Sequence, residues 1–349
     1  MGAFVMTSQT QAVVTDADDG SIDPAAQTQG LGKQAGDIVG FSPGQLMWRR
    51  FKRDRTGVLS AFVVIFFFAI AILAPVISKL YGKDPYTLYG QNNSDLLNEF
   101  GYPVAPNGGV SSSFWFGIEP GLGRDVFTQL LYGIRTSLFI SVAVTLATVT
   151  TAILLGITSG YLGGRADYFI GRVSDLLLAF PSQLFFVAFM PIVVAIFVDP
   201  QDETPTYLRV TALIAVQWFL GWMGLSRILR GQVLSLRERE FIEAAKVTGA
   251  SSWRIVRREL LPNLVTPILV QATFMLPGFV TAEAGLSFLG VGIIEPTPDW
   301  GRMFAKGGDI AQNDITYMFF PGIAMVIFIV AFNLLGDSVR DAFDPKSGR

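Results

Sequence analysis

Few polar side chains in this sequence are placed where they could do chemistry, and four of them interrupt or flank long apolar stretches. They are Asp175, Glu283, Asn333 and Asp337. Ionisable groups inside a membrane often carry protons or contact a solute. At about 1.5 Å of rise per helical residue, however, Glu283 falls near one membrane interface and Asp175 and Asp337 fall near the other. We therefore expect them to bond to neighbouring backbone or basic groups, with contact to a transported molecule as the alternative.

The residue types that are missing exclude most enzyme chemistry. The chain has 349 residues, with no Cys and no His. Thiolate metal sites, disulfides and cysteine nucleophiles are therefore excluded, and so is the commonest metal ligand and general base. The sequence also lacks the Gly-x-x-x-x-Gly-Lys-Ser/Thr loop that cradles ATP phosphates. We expect no catalytic residue, metal site or cofactor site in this chain.

The composition is that of a membrane protein. Apolar residues make up 51% of the chain and charged residues 15%, and the mean hydropathy is +0.46. Six uncharged stretches reach the roughly 17–25 residues that a spanning helix needs: residues 57–78, 136–164, 176–198, 210–226, 260–282 and 315–336. Residues 284–294 form a shorter uncharged stretch, which we expect to be interfacial or re-entrant. The sequence therefore predicts an all-α integral membrane protein with six transmembrane helices.

The basic residues predict the orientation, because Lys and Arg accumulate in loops that stay in the cytoplasm. With the N-terminus inside, about 19 of the 26 Lys and Arg residues fall on the cytoplasmic side. Eight of them lie between residues 227 and 258. Both termini are therefore expected in the cytoplasm, with the acidic turn 199–206 outside.

Three divisions of the chain follow from this topology. Residues 1–45 are poor in bulky apolar side chains and predict a disordered cytoplasmic tail. Residues 46–135 hold the first transmembrane helix and a long extracytoplasmic loop, lidded by a short helix around residues 126–132. Residues 136–345 form the core, with five transmembrane helices and a coupling loop at about 235–262.

The cytoplasmic loop 227–259 has the pattern of two short surface helices. Ser235 with Glu238 forms a capping box for the first helix, and Gly249 can adopt the left-handed conformation that ends it. Ser251 or Ser252 can cap the second helix. Small alanines permit close helix approach, and eight basic against four acidic residues keep the loop out of hydrocarbon. The loop is expected to be a docking site for a soluble partner.

Two sets of residues resemble a known family. The first set is Glu243, Ala244, Ala245, Gly249, Leu261 and Pro262. Its spacing resembles the EAA loop of bacterial ABC importer permeases, although Glu259 stands where that pattern favours Ile. The second set comprises residues 123–127 (GRDVF), 178–182 (LAFPS), 235–240 (SLRERE), 286–290 (LSFLG) and 333–337 (NLLGD). These segments resemble, in order, the second permease subunit of the dipeptide and oligopeptide transporters.

The resemblance implies a type I ABC importer permease fold with a cytoplasmic coupling helix-turn-helix, in a bacterial cytoplasmic membrane. Its implied partners are a sister permease subunit, two cytoplasmic ATPases that hold ATP and magnesium, an extracytoplasmic peptide-binding protein and membrane lipids, without nucleic acid. The first set of residues would be the ATPase-coupling site. Candidate pathway or gating residues are Pro181, Ser182, Met275 and Glu283. The implied cargo is short peptides.

Several alternatives stay open at this point. Related machinery carries nickel chelates, glutathione or opines, so the cargo could differ. A proton-coupled carrier is the alternative from another class, and it would need ionisable groups at the centre of the membrane, where the six stretches have none. Arg124 and Asp125 could receive the binding protein or take part in an internal ion pair. Prolines within the spans are either hinges or packing features: Pro181, Pro191, Pro267, Pro277 and Pro321.

Overall fold

The computed structural model describes residues 43–343, except 92, 200 and 203. This part of the chain is helical, and its β-structure is limited to two isolated bridges. In chain order the helices are α1 (Pro43–Arg53), α2 (Arg55–Tyr81), α3 (Pro106–Gly109), α4 (Val126–Leu162), α5 (Gly164–Leu178), α6 (Ser182–Ala195), α7 (Thr206–Arg237), α8 (Glu240–Val247), α9 (Ser252–Ile255), α10 (Leu261–Phe288), α11 (Trp300–Ile310) and α12 (Thr316–Phe343).

Five of these helical segments are long and apolar enough to cross a membrane. They are α2, α4, α7, the continuous segment Ser252–Phe288 and α12, and they contain 27 to 37 residues each. The predicted all-α membrane fold is confirmed. A sixth crossing exists if the bent pair α5 and α6 counts as one span.

The predicted third span, residues 176–198, is not one straight helix. Helix α5 ends at Leu178, and α6 begins at Ser182 after a bend of 90°. The physical reason is Pro181, which has no N–H to continue the helix and disfavours helical geometry at the residue before it. Helix α6 has 14 residues and is about 21 Å long. The other predicted intraspan prolines, Pro191, Pro267, Pro277 and Pro321, lie inside continuous helices.

The predicted short lid helix at residues 126–132 is wrong, because those residues are the first turns of the 37-residue helix α4. Asp125 starts this helix by accepting a hydrogen bond from the Thr128 N–H at 2.7 Å. Gly133 follows Tyr132 but is buried inside the helix, where an added Cβ would lie 3.3 Å from the Asp299 backbone, and the helix continues into the membrane span.

Helices α4 and α7 pack closely because glycines face the contact. A Cβ added to Gly156 would lie 2.8 Å from the Ser226 carbonyl oxygen, and one added to Gly160 would lie 2.9 Å from the Arg230 carbonyl oxygen. Small residues at such contacts let helix backbones approach one another in a membrane. The same contact buries Leu229 fully.

A second apolar core joins α2, α11 and α12. The rings of Phe67 and Phe328 lie 5.3 Å apart at 62°, and Trp300 lies 5.8 Å from Phe328. Near the other end of these helices, Gly57 contacts Ser338 closely enough that an added Cβ would lie 2.7 Å from the Ser338 Cβ. The first span is therefore packed against the last one.

Two of the predicted divisions of the chain are not tested and stay predictions, namely 46–135 and 136–345. Of the predicted tail, residues 1–45, the first 42 residues lie outside the described part of the chain. Helix α1 begins at Pro43, so residues 43–45 are helical.

Candidate functional site

The predicted cytoplasmic loop contains helix α8, but its first helix begins later than expected. Ser235 does not cap it, because α7 continues through Ser235 to Arg237. Val233 is fully buried and packs against Gly160. This packing of α7 on α4 continues close to Ser235, so Ser235 lies inside the helix. The Arg237 guanidinium also lies 3.5 Å from the Gly160 carbonyl oxygen.

Helix α8 ends as predicted. Gly249 has a φ of +78°, in the left-handed region, and it has no other residue within 4 Å of an added Cβ. Ser251 then caps α9 by accepting a hydrogen bond from the Arg254 N–H. The sequence identified Gly249 correctly and left the cap open between Ser251 and Ser252, of which Ser251 is the cap.

The second helix of the loop is not separate from the following span. Helix α9 runs through a π turn at Val256–Leu260 directly into α10. The Leu261 N–H bonds to the Val256 carbonyl, one residue further back than in an α-helix. This change of register lies immediately before Pro262, whose ring would clash with the carbonyl four residues earlier in a regular helix. A movement of α9 is therefore transmitted to α10 along one helix.

The loop presents the alanines of α8 beside charged residues, above two buried isoleucines. Ile242 and Ile255 are 0% and 1% exposed and belong to the same apolar core as α7 and α10. Above them, Glu243 and Ala244 are exposed and Ala245 is half-buried. A groove of about 340 Å³ separates α8 from α9, with this lining: Phe241, Ala244, Ala245, Thr248, Ala250, Arg254, Ile255, Arg258 and Glu259.

The remaining coupling residues lie at the base of the loop. Leu261 is half-buried against the core, and Pro262 is exposed. The predicted coupling residues therefore occupy one surface of α8 and the start of α10. Their role in docking stays a prediction.

Ion pairs tie the helices beside this loop together. The Arg230 guanidinium on α7 makes two bonds to the Asp167 carboxylate on α5, at 2.5 and 2.6 Å. Arg227 pairs with Asp175 on the same two helices. The pair with Arg227 gives Asp175 the structural role that the sequence predicted. Together they connect the end of α7, which leads into α8, with the bent pair α5 and α6.

The four candidate pathway residues lie in different environments. Pro181 and Ser182 are exposed at the break between α5 and α6. Met275 is half-buried on α10 and packs against the larger core. Glu283, two turns further along α10, is fully buried. Glu283 is therefore inaccessible in this conformation, and a role of the four residues in the pathway stays a prediction.

Sequence reasoning missed the partner of Glu283, which is Asp299. Both carboxylates are fully buried and interact electrostatically. Ser287 donates to Glu283 at 3.3 Å, and the Arg302 N–H donates to Asp299 at 2.8 Å. Burial raises the pKa of Asp299 to about 6. One oxygen of each carboxylate has no hydrogen-bond partner among the described residues, so the pair favours loss of one negative charge.

A buried ion network on the predicted extracytoplasmic side was also missed. The Arg124 guanidinium, 2% exposed, lies 2.5 Å from Glu119 and 2.6 Å from Glu295. Lys306 on α11 lies 2.6 Å from the other Glu119 oxygen, and Gln129 donates to the same carboxylate at 2.6 Å. Burial alone would raise the pKa of Glu119, but Arg124 and Lys306 hold it below its usual value.

Two hypotheses were open for Arg124, namely contact with the binding protein and an internal ion pair. The side chain is in an internal ion pair, although its partners are Glu119 and Glu295 rather than Asp125. Asp125 caps α4 and accepts a hydrogen bond from the Tyr81 hydroxyl at 3.1 Å. No local periodicity marks Glu295 or Lys306, which are 171 and 187 residues away from their partners in sequence.

Comparisons with known proteins identify the family. Residues 152–349 match the family described as binding-protein-dependent transport system inner membrane component. Residues 42–99 match the N-terminal transmembrane domain of oligopeptide transport permease C.

Individual relatives match over most of their length. A dipeptide transport system permease of Bacillus subtilis is 35% identical over 303 residues, which covers 86% of this chain and 85% of the relative. An oligopeptide transport system permease of the same organism is 32% identical over 89% of this chain and 94% of the relative. A glutathione transport system permease of Pectobacterium atrosepticum is 33% identical over 87% of this chain and 92% of the relative. The chain thus belongs to the inner-membrane components of binding-protein-dependent transport systems, within the dipeptide and oligopeptide ABC permeases.

Proposed function

We propose that this chain forms half of the translocation pathway of an ATP-driven importer of short peptides, and that α8 with the start of α9 docks the ATPase subunits. The observation that carries the proposal is the surface of α8. Glu243 and Ala244 are exposed there and Ala245 is half-buried, while Ile242 and Ile255 fix the helix to the core. A partner that binds this surface pushes on a rigid element.

The structure supports a route for coupling. Helix α8 joins the end of α7, and α9 continues into α10 without a break. The Asp167–Arg230 pair extends the connection from α7 to α5. Displacement of α8 would therefore move three membrane segments together, as alternating access requires of a bistable permease.

The remaining parts of the importer are supplied by other subunits in this proposal. They are a sister permease that completes the pathway, two cytoplasmic ATPases that bind ATP and magnesium, and an extracytoplasmic peptide-binding protein. The absence of an ATP phosphate loop from the sequence supports placing ATP on separate subunits. Dipeptide and oligopeptide permeases among the relatives support the cargo class.

The proposed orientation places both termini and the α8 loop in the cytoplasm of a bacterial cell. The excess of Lys and Arg in residues 227–258 supports it. Alkaline phosphatase fused at Thr204 should be active, and the same enzyme fused at Lys246 should be inactive. The reverse pattern would contradict the orientation.

Uptake into proteoliposomes that contain the whole complex tests the function. A labelled dipeptide should enter when ATP is supplied on the ATPase side, and a protonophore should leave uptake unchanged, because the network and the acid pair lie away from the centre of the spans. Uptake that a protonophore abolishes and ATP does not affect would instead indicate a proton-coupled carrier.

Glutathione is the second candidate cargo, favoured by the glutathione permease among the relatives. Excess unlabelled glutathione should compete with dipeptide uptake if it is the cargo. Parallel assays with nickel chelates and opines distinguish the other members of this transporter group.

A further inference from the structure

A pocket of about 290 Å³ lies where α6 ends and α7 begins, beside the loop that follows α10. Its walls are mostly apolar and include Met190, Val194 and Val291, which pack in the larger core. Pockets that bind small ligands in proteins hold about 300–1,000 Å³ and combine apolar walls with a few polar groups. This pocket is at the lower end of that range, so it fits a small solute.

Arg209, near the start of α7, supplies this pocket with a positive charge that no described acidic residue pairs with. The side chain is half-buried. Its hydrogen bond to the described part of the chain is a long one, from Nη1 to the Gly292 carbonyl oxygen at 3.4 Å, and its buried Nε has no partner there. A charge that is partly removed from water gains from an anionic partner. Carboxylates match the planar guanidinium in geometry as well as in charge.

Two acidic side chains restrict which anion can bind beside Arg209. Asp199 and Asp202 line the same pocket and are exposed. A hydrogen bond from the Asp202 N–H to the Asp199 carbonyl oxygen, at 3.0 Å, holds them in one turn. They would repel a multiply charged anion such as phosphate. A ligand with one carboxylate and one ammonium group is complementary to both signs of charge.

We propose that this pocket binds a short peptide with free ends, with the peptide carboxylate on Arg209 and the peptide ammonium group toward Asp199 and Asp202. The small volume favours a dipeptide over a long chain. The preference for a carboxylate follows from the pocket alone, whereas the choice of a peptide over a single amino acid rests on the proposed function. In the proposed orientation the pocket lies at the extracytoplasmic end of α7, where a peptide arrives.

Protection of a cysteine tests binding without transport. The sequence contains no Cys, so Ala195→Cys gives this chain a single thiol, at an exposed position in the pocket lining. The whole complex in nanodiscs is treated with a water-soluble maleimide, and labelling of this chain is followed on gels. We expect L-alanyl-L-alanine to slow the labelling. Its C-terminal amide should need a concentration about tenfold higher or more for the same protection, because it lacks the charged acceptor.

A change at Arg209 assigns the effect to the guanidinium. Arg209→Gln in the Ala195→Cys chain should raise the dipeptide concentration needed for protection about tenfold or more, and it should remove the difference between the acid and the amide. Arg135→Gln, an exposed change on α4, should alter neither. The labelling rate without peptide should be the same in these chains, which checks that the pocket is intact.

Equal protection by the acid and the amide in the chain with Arg209 would overturn the proposal, and this comparison does not depend on how Arg209→Gln folds. Absence of protection by the dipeptide would also overturn it, as would protection that survives Arg209→Gln. Acetate or L-alanine that protects as well as the dipeptide would overturn the assignment to a peptide. Labelling requires no ATP, so intact protection without ATP-driven dipeptide uptake would contradict the proposed function and not the pocket.

Discussion

The loop 227–259, proposed to be cytoplasmic, and the ion network around Arg124, proposed to be extracytoplasmic, differ in how far their charges are buried. Arg254, Arg257 and Arg258 in the loop are exposed, whereas Arg124 in the network is 2% exposed and held by two carboxylates. Exposed charge is available to a partner and contributes little to the stability of the chain. A buried charge is stabilised by its internal partners, and removing one partner lowers the free energy of unfolding. The comparison separates a surface that we propose for docking from a cluster of buried ion pairs between distant parts of the chain.

The buried network should give the largest effect of substitution. Arg124→Met leaves Glu119 buried with Lys306 as its remaining cation, and loss of one partner from a buried pair costs about 3–5 kcal/mol of unfolding free energy. We expect a clear fall in the thermal midpoint of the purified chain in detergent. Arg135→Met, an exposed change on α4, which begins two residues after Arg124, should stay within about 0.5 kcal/mol.

A second variant separates the charge from the packing of Arg124. Arg124→Met combined with Glu119→Gln removes the stranded carboxylate, so the double variant should be more stable than Arg124→Met alone. Equal stability of the single variant and the wild type would show that the network does not hold the extracytoplasmic segment in place.

The acid pair should respond in the opposite direction. Glu283→Gln replaces one of two adjacent buried carboxyl groups by a neutral group of the same shape, so it should leave stability unchanged or raise it by about 1–2 kcal/mol. Glu119→Gln is the matched change at a carboxylate that has cationic partners, and it should destabilise. Thermal unfolding of both variants side by side gives the measurement. Destabilisation by Glu283→Gln as large as that by Glu119→Gln would contradict the distinction.

The smallest predicted effect is on pH dependence. The pKa of Asp299 is raised to about 6 by burial, so its protonated form favours the folded state and stability rises as pH falls through about 6. Glu119 has a lowered pKa, so its contribution is lost at more acidic pH than its usual value. Between about pH 7 and pH 5, the wild type should therefore gain stability on acidification. Asp299→Asn should flatten that dependence, and an unchanged slope would refute the assignment to Asp299.

Local signals in the sequence predicted the cytoplasmic loop well. Gly249 and Ser251 mark a helix end and a helix start through their own backbone and side-chain chemistry. The errors at Ser235 and at residues 126–132 have one cause. Both segments have capping or turn residues nearby. Each nevertheless lies inside a long helix, which is stabilised by its packing against other helices. The sequence predicted a bend at Pro181 from the proline itself, but it could not predict the bend angle of 90°.

The pairing of the buried charges could not be predicted from neighbouring residues in the sequence. Glu119 and Lys306 are brought together across 187 residues by the fold, and Asp299 reaches Glu283 because the loop after α10 folds back onto it. Single charged residues in loops give no signal of such pairing. Motifs predicted the exposed surface because its residues are adjacent in sequence, whereas the buried clusters depend on tertiary contacts.

Docking of the ATPases on α8 is the central claim, and paired substitutions at two positions test it. Gly249→Val places a β-branched residue at a φ of +78°, which costs on the order of 1–2 kcal/mol and displaces the turn. Gly249→Asn is the matched control, because Asn tolerates this conformation. Ala245→Asp puts a charge in the groove beside α8, with Ala245→Ser as its control.

The most direct measurement is retention of the ATPase subunits on the purified permease, followed on blue-native gels with ATP-driven uptake from the same membranes. We predict that Gly249→Val and Ala245→Asp insert normally and still pair with the sister permease, but lose ATPase retention tenfold or more, equivalent to about 1.4 kcal/mol. Gly249→Asn and Ala245→Ser should retain it. Full ATPase retention and wild-type uptake in both Gly249→Val and Ala245→Asp would contradict the account.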